Sequence, residues 1–227
     1  MIKKRRKTNS SYSLKMKIGI VVMLFFTTVF TEIAFAESSI SERNSIQDYR
    51  FSLSTTWHSF MNFGPEETNI QMYELQFGYK ITDKDKIGIK VATWKLFTPL
   101  GIQMWDPHFL KESEYYPGRL LEYGAGVTYQ RTLWKGLFAA IEVLPLKQEY
   151  LNEDEVKIKD GFRLYTSYHI GYHIPLFNDR VFLAPQLHCN YWPIMTDGPE
   201  GFKDTENREW SKNYLLFEPN IYIGINF

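Results

Sequence analysis

The chain has 227 residues, 26 Lys and Arg against 26 Asp and Glu, 17% aromatic residues and a single cysteine, Cys189. That length suits one domain, and neither a Pro/Gly/Ser linker nor a repeat of fixed period divides it. One cysteine excludes a disulfide within the chain and a cysteine zinc site.

Residues 1–36 read as a cleaved secretory signal. Lys3, Lys4, Arg5, Arg6 and Lys7 form a basic head, Ile18 to Phe30 an apolar run, and Ala34-Phe35-Ala36 a small-x-small cleavage site. The apolar run is shorter than the ~20 residues a spanning helix needs. Its removal takes away seven basic side chains and one acidic one, leaving 19 against 25. The mature chain, 37–227, is therefore acidic by six, which excludes the basic face that nucleic acid requires. No Cys follows the signal, so a lipid-anchored N-terminus is not expected.

Beyond the signal, apolar residues recur at every second position in segments of about ten residues, the periodicity of strands. Eight are predicted in chain order, over 47–57, 70–81, 86–97, 119–131, 137–148, 162–174, 181–192 and 214–227. Their connections alternate in length. Thr82 to Asp85, Thr132 to Gly136 and Phe177 to Arg180 are tight, whereas His58 to Asn69, Thr98 to Gly118, Glu149 to Gly161 and Pro193 to Asn213 are long and polar. Transmembrane barrels have short periplasmic turns and long outer loops of this kind. A hairpin within the second or fourth long loop would raise the count to ten.

Each strand divides into two faces. In the third, Ile87, Ile89 and Val91 alternate with Gly88, Lys90 and Ala92; in the fourth, Leu121, Tyr123, Ala125, Val127 and Tyr129 alternate with Glu122, Gly124, Gly126 and Thr128. The last places Leu215, Phe217, Ile221, Ile223, Ile225 and Phe227 outward and Glu218, Asn220, Gly224 and Asn226 inward. Strands that face lipid must close on themselves, because an open edge leaves unpaired backbone groups in hydrocarbon. Tyr79, Tyr129, Tyr172 and Phe227 at the lower ends, with Trp57 and Tyr191 at the upper ends, form two expected aromatic belts. Pro145, Pro185 and Pro219 fall on outward positions inside strands and are expected at bulges or strand ends, since proline donates no ladder bond.

Residues 37–227 thus resemble the small eight-stranded outer-membrane proteins of the OmpA and OmpX type, all-β up-and-down transmembrane barrels. The ending Ile221-Tyr222-Ile223-Gly224-Ile225-Asn226-Phe227 is similar to the alternating C-terminal strand whose terminal Phe the outer-membrane insertion machinery recognises in such families. The resemblance implies the bacterial outer membrane as location, and its lipid, lipopolysaccharide and that machinery as partners of a monomer.

Inward positions carry Arg50, Lys80, Lys90 and Arg163 against Glu74, Glu122, Glu142 and Glu218. An eight-stranded barrel is only wide enough for its side chains to fill, and buried charges need partners. The expectation is a lumen plugged by ion pairs, with no cofactor or metal and a structural or surface-interaction role. A narrow solute channel is the alternative within this fold, and a lipocalin-like soluble barrel the alternative to it. A tight turn centred on Asn178 and Asp179 pairs positions summing to 357, which sets His169 opposite His188, two imidazoles able to share a proton or bind a metal with a carboxylate. An enzyme is the rival class, since some barrels resembling this one modify acyl chains of lipopolysaccharide. His58 and Ser59 are its candidates, with Glu66 or Glu67 as orienters. The longer His-Ser motif that lipid A deacylases of this shape carry late in the chain is not found here. The outer loops, with Met104, Trp105, Tyr115, Tyr116 and the acidic run Asn152-Glu153-Asp154-Glu155, offer recognition surface.

Overall fold

In the computed structural model, which describes residues 49–60, 62 and 71–227, the unit Gln47–Phe227 is a closed antiparallel barrel. The expected signal, residues 1–36, and Glu66 and Glu67 lie outside the described residues. The strands are β1 (Phe51–Thr56), β2 (Gln71–Lys80), β3 (Asp85–Leu96), β4 (Arg119–Trp134), β5 (Leu137–Leu151), β6 (Lys157–Tyr172), β7 (Ile174–Leu176), β8 (Val181–Met195) and β9 (Tyr214–Asn226). Each pairs with its neighbour in sequence, β9 returns to β1, and both β6 and β7 pair with β8. β7 continues β6 across His173, so the wall counts eight strands, each overlapping a segment expected from the alternation.

Alternation predicts side-chain direction because successive Cβ atoms leave opposite faces of a strand. Ile87, Ile89, Val91, Tyr123, Val127 and Tyr129 are exposed on the outer wall, while Lys90, Glu122 and Glu142 are buried inside. Leu215 is the exception. A bulge sets Asn190 opposite Leu215 but His188 opposite Glu218, so Leu216 and Phe217 together oppose Cys189. Phe217 takes a left-handed φ of 55° there. The extra residue reverses the parity above the bulge, and Leu215, expected on the outside, packs against the inner core instead.

Pro145 and Pro185 lie within strands without shifting the register, contrary to the expectation of bulges or ends. A residue in an antiparallel strand gives both backbone groups to one neighbour, so proline interrupts the ladder on one side only. Pro145 pairs with Leu164 of β6 while the β4–β5 ladder lapses between Gly124↔Leu146 and Val127↔Val143. Pro185 pairs with Ile221 of β9 beside the break between β6 and β7. Pro219, opposite Leu187, follows the β9 bulge and stands beyond the end of β1.

The third long connection is also corrected. β5 and β6 extend until only residues 152–156 join them, where Asn152 accepts from the Glu155 N–H and its side chain from the Val156 N–H. Charges that made this stretch read as polar form a cluster on the outer wall, within and across β5 and β6: Lys147 and Lys157 each approach both Glu149 and Asp160 within 3.7 Å.

The lumen is filled in layers. At the turn end Phe138, Phe182, Ala184 and Tyr222 pack together. Gly171 and Gly224 make room, since a Cβ on either would come within 2.6 Å of the Phe138 or Phe182 ring. At the loop end Trp94, Leu120, Leu146, Tyr150, Tyr165 and Trp192 form a second cluster. The short helix α1 (Phe202–Glu206) caps it: Phe202 stacks on Tyr116 at 4.8 Å and meets Tyr150 edge-on at 5.2 Å. Burying that one ring stabilises the cap by roughly 2–3 kcal/mol.

Candidate functional site

Between the two apolar layers lies a polar one. Lys90, inward on β3, places its Nζ 2.8 Å from Glu74 Oε2 of β2 and 2.8 Å from Glu142 Oε2 of β5. It also donates to the Tyr222 hydroxyl of β9 at 2.7 Å, and that hydroxyl donates to Glu74 Oε2 at 2.8 Å. Trp94 Nε1 donates to the other Glu74 oxygen at 3.1 Å. One ammonium thus binds four strands together. In the low dielectric of the lumen such a pair is held by its geometry, because neither charge can return to water.

A second pair joins β4 to β6. Arg163 Nε stands 3.1 Å from Glu122 Oε1, to which Gln148 Nε2 donates at 2.7 Å. The guanidinium lies 5.2 Å over the Trp192 ring. The contact is an ion pair without hydrogen-bond alignment, since Arg163 Nε and Nη1 and Glu122 Oε2 have no hydrogen-bond partner.

Glu218 takes its bond from an amide rather than a cation: Ser167 donates to Asn190 Oδ1 at 2.5 Å, and Asn190 Nδ2 donates to Glu218 Oε2 at 2.6 Å. The expected balance of four cations and four carboxylates is not met. Arg50 is exposed at the turn end, and Lys80 is half-exposed 3.8 Å from Asp83. Arg50 precedes β1 and Lys80 ends β2 at the same end of the barrel, where the inward direction opens to solvent and a long side chain bends outward. Lys86, which the sequence reading passed over, lines the lower lumen instead.

His169 and His188 face each other in the register expected, with ring centroids 3.9 Å apart and planes inclined by 32°. The Nδ1–H of a neutral His169 donates to Gln186 Oε1 at 3.0 Å, and its Nε2 lies 3.9 Å from Glu142 Oε2. Neither Nε2 has a hydrogen-bond partner. Among the described residues no third His, Cys, Asp or Glu completes a metal-binding group with this pair.

His58 and Ser59 diverge. His58 Nδ1 contacts Thr56 Oγ1 at 3.1 Å, and Thr56 donates to Asn220 Oδ1 at 2.6 Å inside the barrel. Ser59 Oγ contacts Thr55 Oγ1 at 3.1 Å. Each is held by a different β1 threonine, so the hydroxyl is not aimed at the imidazole. Phe227, the expected insertion signal, exchanges both backbone bonds with Phe51 at 2.9 Å and stacks on its ring at 6.0 Å.

The cap over the loop end is polar beneath. Glu114 receives Ser113 Oγ, Arg208 Nη1 and Trp210 Nε1, and His108 stacks on Trp210 at 3.8 Å. Burial opposes ionisation of Glu114, but these three donors outweigh it and hold the carboxyl below its ordinary value. Glu206 of α1 accepts from the Tyr116 hydroxyl at 3.1 Å. There burial dominates, and the carboxyl is pushed up to about 7 against the pull of Arg163.

Among the described residues, one cavity of about 30 Å³ is bordered by His58, Glu74 and Glu218 and another of similar size by Gln76, Lys86 and Thr128. Each is large enough for one or two waters. The sequence reading missed Trp94 and Tyr222 as partners of the lumenal charges. Their parity on β3 and β9, shared with Lys90 and Glu218, was the available signal, but both read first as apolar strand residues. No protein family model, curated protein or solved structure matches this chain.

Proposed function

We propose that this chain is an outer-membrane β-barrel of the OmpA and OmpX kind, exported by a cleaved signal, monomeric, and plugged rather than open. One observation carries the reading: the barrel is inside out relative to a soluble protein. Val127 is 62% exposed, Ile89 58% and Ile170 52%, whereas Lys90 and Arg163 are 2% exposed and Glu122 is fully buried. A continuous apolar outer wall of this extent is costly in water and stable in acyl chains. A lipocalin-like barrel would show the reverse.

The partners follow from that placement: lipid and lipopolysaccharide around the wall, and the insertion machinery at the strand ending in Phe227. The aromatic layers, the ion pairs and the α1 cap argue for a structural or surface-presenting role. Trp105 and Met104, both exposed in the 97–118 loop, are the residues such a surface would offer. The test is physical. Purified residues 37–227 should aggregate without detergent, float with lipid vesicles, and migrate differently on gels before and after boiling. A monomer freely soluble without detergent overturns the proposal.

A further inference from the structure

Charge is distributed unevenly along the barrel axis. In the outer connections, residues 97–118, 152–156 and 196–213, eleven acidic side chains stand against four basic ones. At the opposite end the order is reversed. Arg50, Lys80, Lys84, Arg131, Lys135 and Arg180 gather there against Asp83, Asp85 and Asp179, six cations to three carboxylates among the described residues. The mature chain as a whole is acidic, so this end opposes the trend of the sequence.

The same end presents large apolar side chains at the tips of its turns. Phe177 is 79% exposed and Trp134 66%, with Leu133 beside Trp134 and Ile81 at the β2–β3 turn. Lys135 Nζ lies 5.1 Å over the Trp134 ring. Phe177 holds a left-handed φ of 52°, a conformation that bulky side chains rarely adopt. A soluble turn would place Gly or Asn there. Strained backbone, exposed rings and clustered cations together describe an amphipathic rim suited to the boundary between headgroups and acyl chains.

We propose that this turn-end rim docks anionic phospholipid headgroups, with Lys84, Lys135 and Arg180 facing the phosphates and Trp134 and Phe177 entering the acyl boundary. The inference rests on the transmembrane reading and adds the lipid class and the end of the barrel that selects it. Each cation beside an anionic surface contributes about fivefold in binding.

The full mature chain is reconstituted in vesicles of phosphatidylcholine and phosphatidylglycerol, with bromine on the acyl chains of one lipid or the other at constant composition. Trp134 is isolated by difference from a Trp134→Phe variant. Brominated phosphatidylglycerol should quench Trp134 several-fold more than brominated phosphatidylcholine. The Lys84→Gln/Lys135→Gln/Arg180→Gln variant, with the gel shift on boiling as its check of folding, should lose that preference. Equal quenching by both lipids in the unsubstituted chain overturns the rim proposal and leaves the membrane reading standing. Quenching by neither overturns both.

Discussion

Replacing Lys90 with Met tests whether ion pairing closes the lumen. Lys90 Nζ sits 2.8 Å from a carboxylate oxygen of both Glu74 and Glu142 and donates to Tyr222. Met preserves most of the side-chain volume, so no large cavity term is added. Removing one partner of a buried pair costs about 3–5 kcal/mol, because the remaining charge is left without compensation. Here two carboxylates lose the same cation, which places the expected cost at or above the upper end of that range. Restoring neutrality should recover most of it: Lys90→Met/Glu74→Gln/Glu142→Gln is expected within ~2 kcal/mol of the original chain. Urea unfolding in lipid vesicles, followed by tryptophan fluorescence, measures all three. A Lys90→Met cost below ~1 kcal/mol, or a triple variant no more stable than the single one, would refute the reasoning.

Two further outcomes are expected. Glu206, with its folded pKa raised to about 7 from an ordinary 4.5, is protonated in the folded cap while an unfolded chain would release the proton. The cap therefore keeps its full stability below about pH 4.5 and loses on the order of 3 kcal/mol as pH rises through about 7; Glu206→Gln should abolish that loss, as read by protease cleavage of the 196–213 loop at pH 5 and pH 8, and cleavage independent of pH in the unsubstituted chain would contradict it. Thr56→Val removes the buried hydroxyl that donates to Asn220 Oδ1 at 2.6 Å, while that oxygen keeps the Ile221 N–H at 2.7 Å; losing one such bond costs about 0.5–1.5 kcal/mol, and an unchanged urea midpoint would show that the bond contributes nothing.

The sequence alone determined the eight strands, their faces except at Leu215, and the pairing of His169 with His188. These follow from local rules: side chains alternate with period two, and a tight turn sets the register of the strands it joins. Alternation likewise placed Lys90, Glu74, Glu142, Glu122 and Arg163 inside. What it did not decide was which inward charges meet. Arg50 and Lys80 share the inward parity but sit at one end of the barrel, where solvent is in reach. Tyr222 became a donor to Glu74 only because barrel closure brings β9 near β2, whereas Trp94 reaches Glu74 diagonally across the β2–β3 ladder.

Only the tertiary structure decided the features that depend on residues distant along the chain. The bulge at Leu216–Phe217, which turns Leu215 inward, exists because β8 and β9 differ by one residue in their path past Cys189. The loop-end cap joins Tyr116 to Phe202 and Glu114 to Arg208 and Trp210, contacts between two loops that no local pattern marks. Backbone periodicity propagates along one strand at a time, whereas loop packing and charge pairing depend on where closure sets strands and loops side by side.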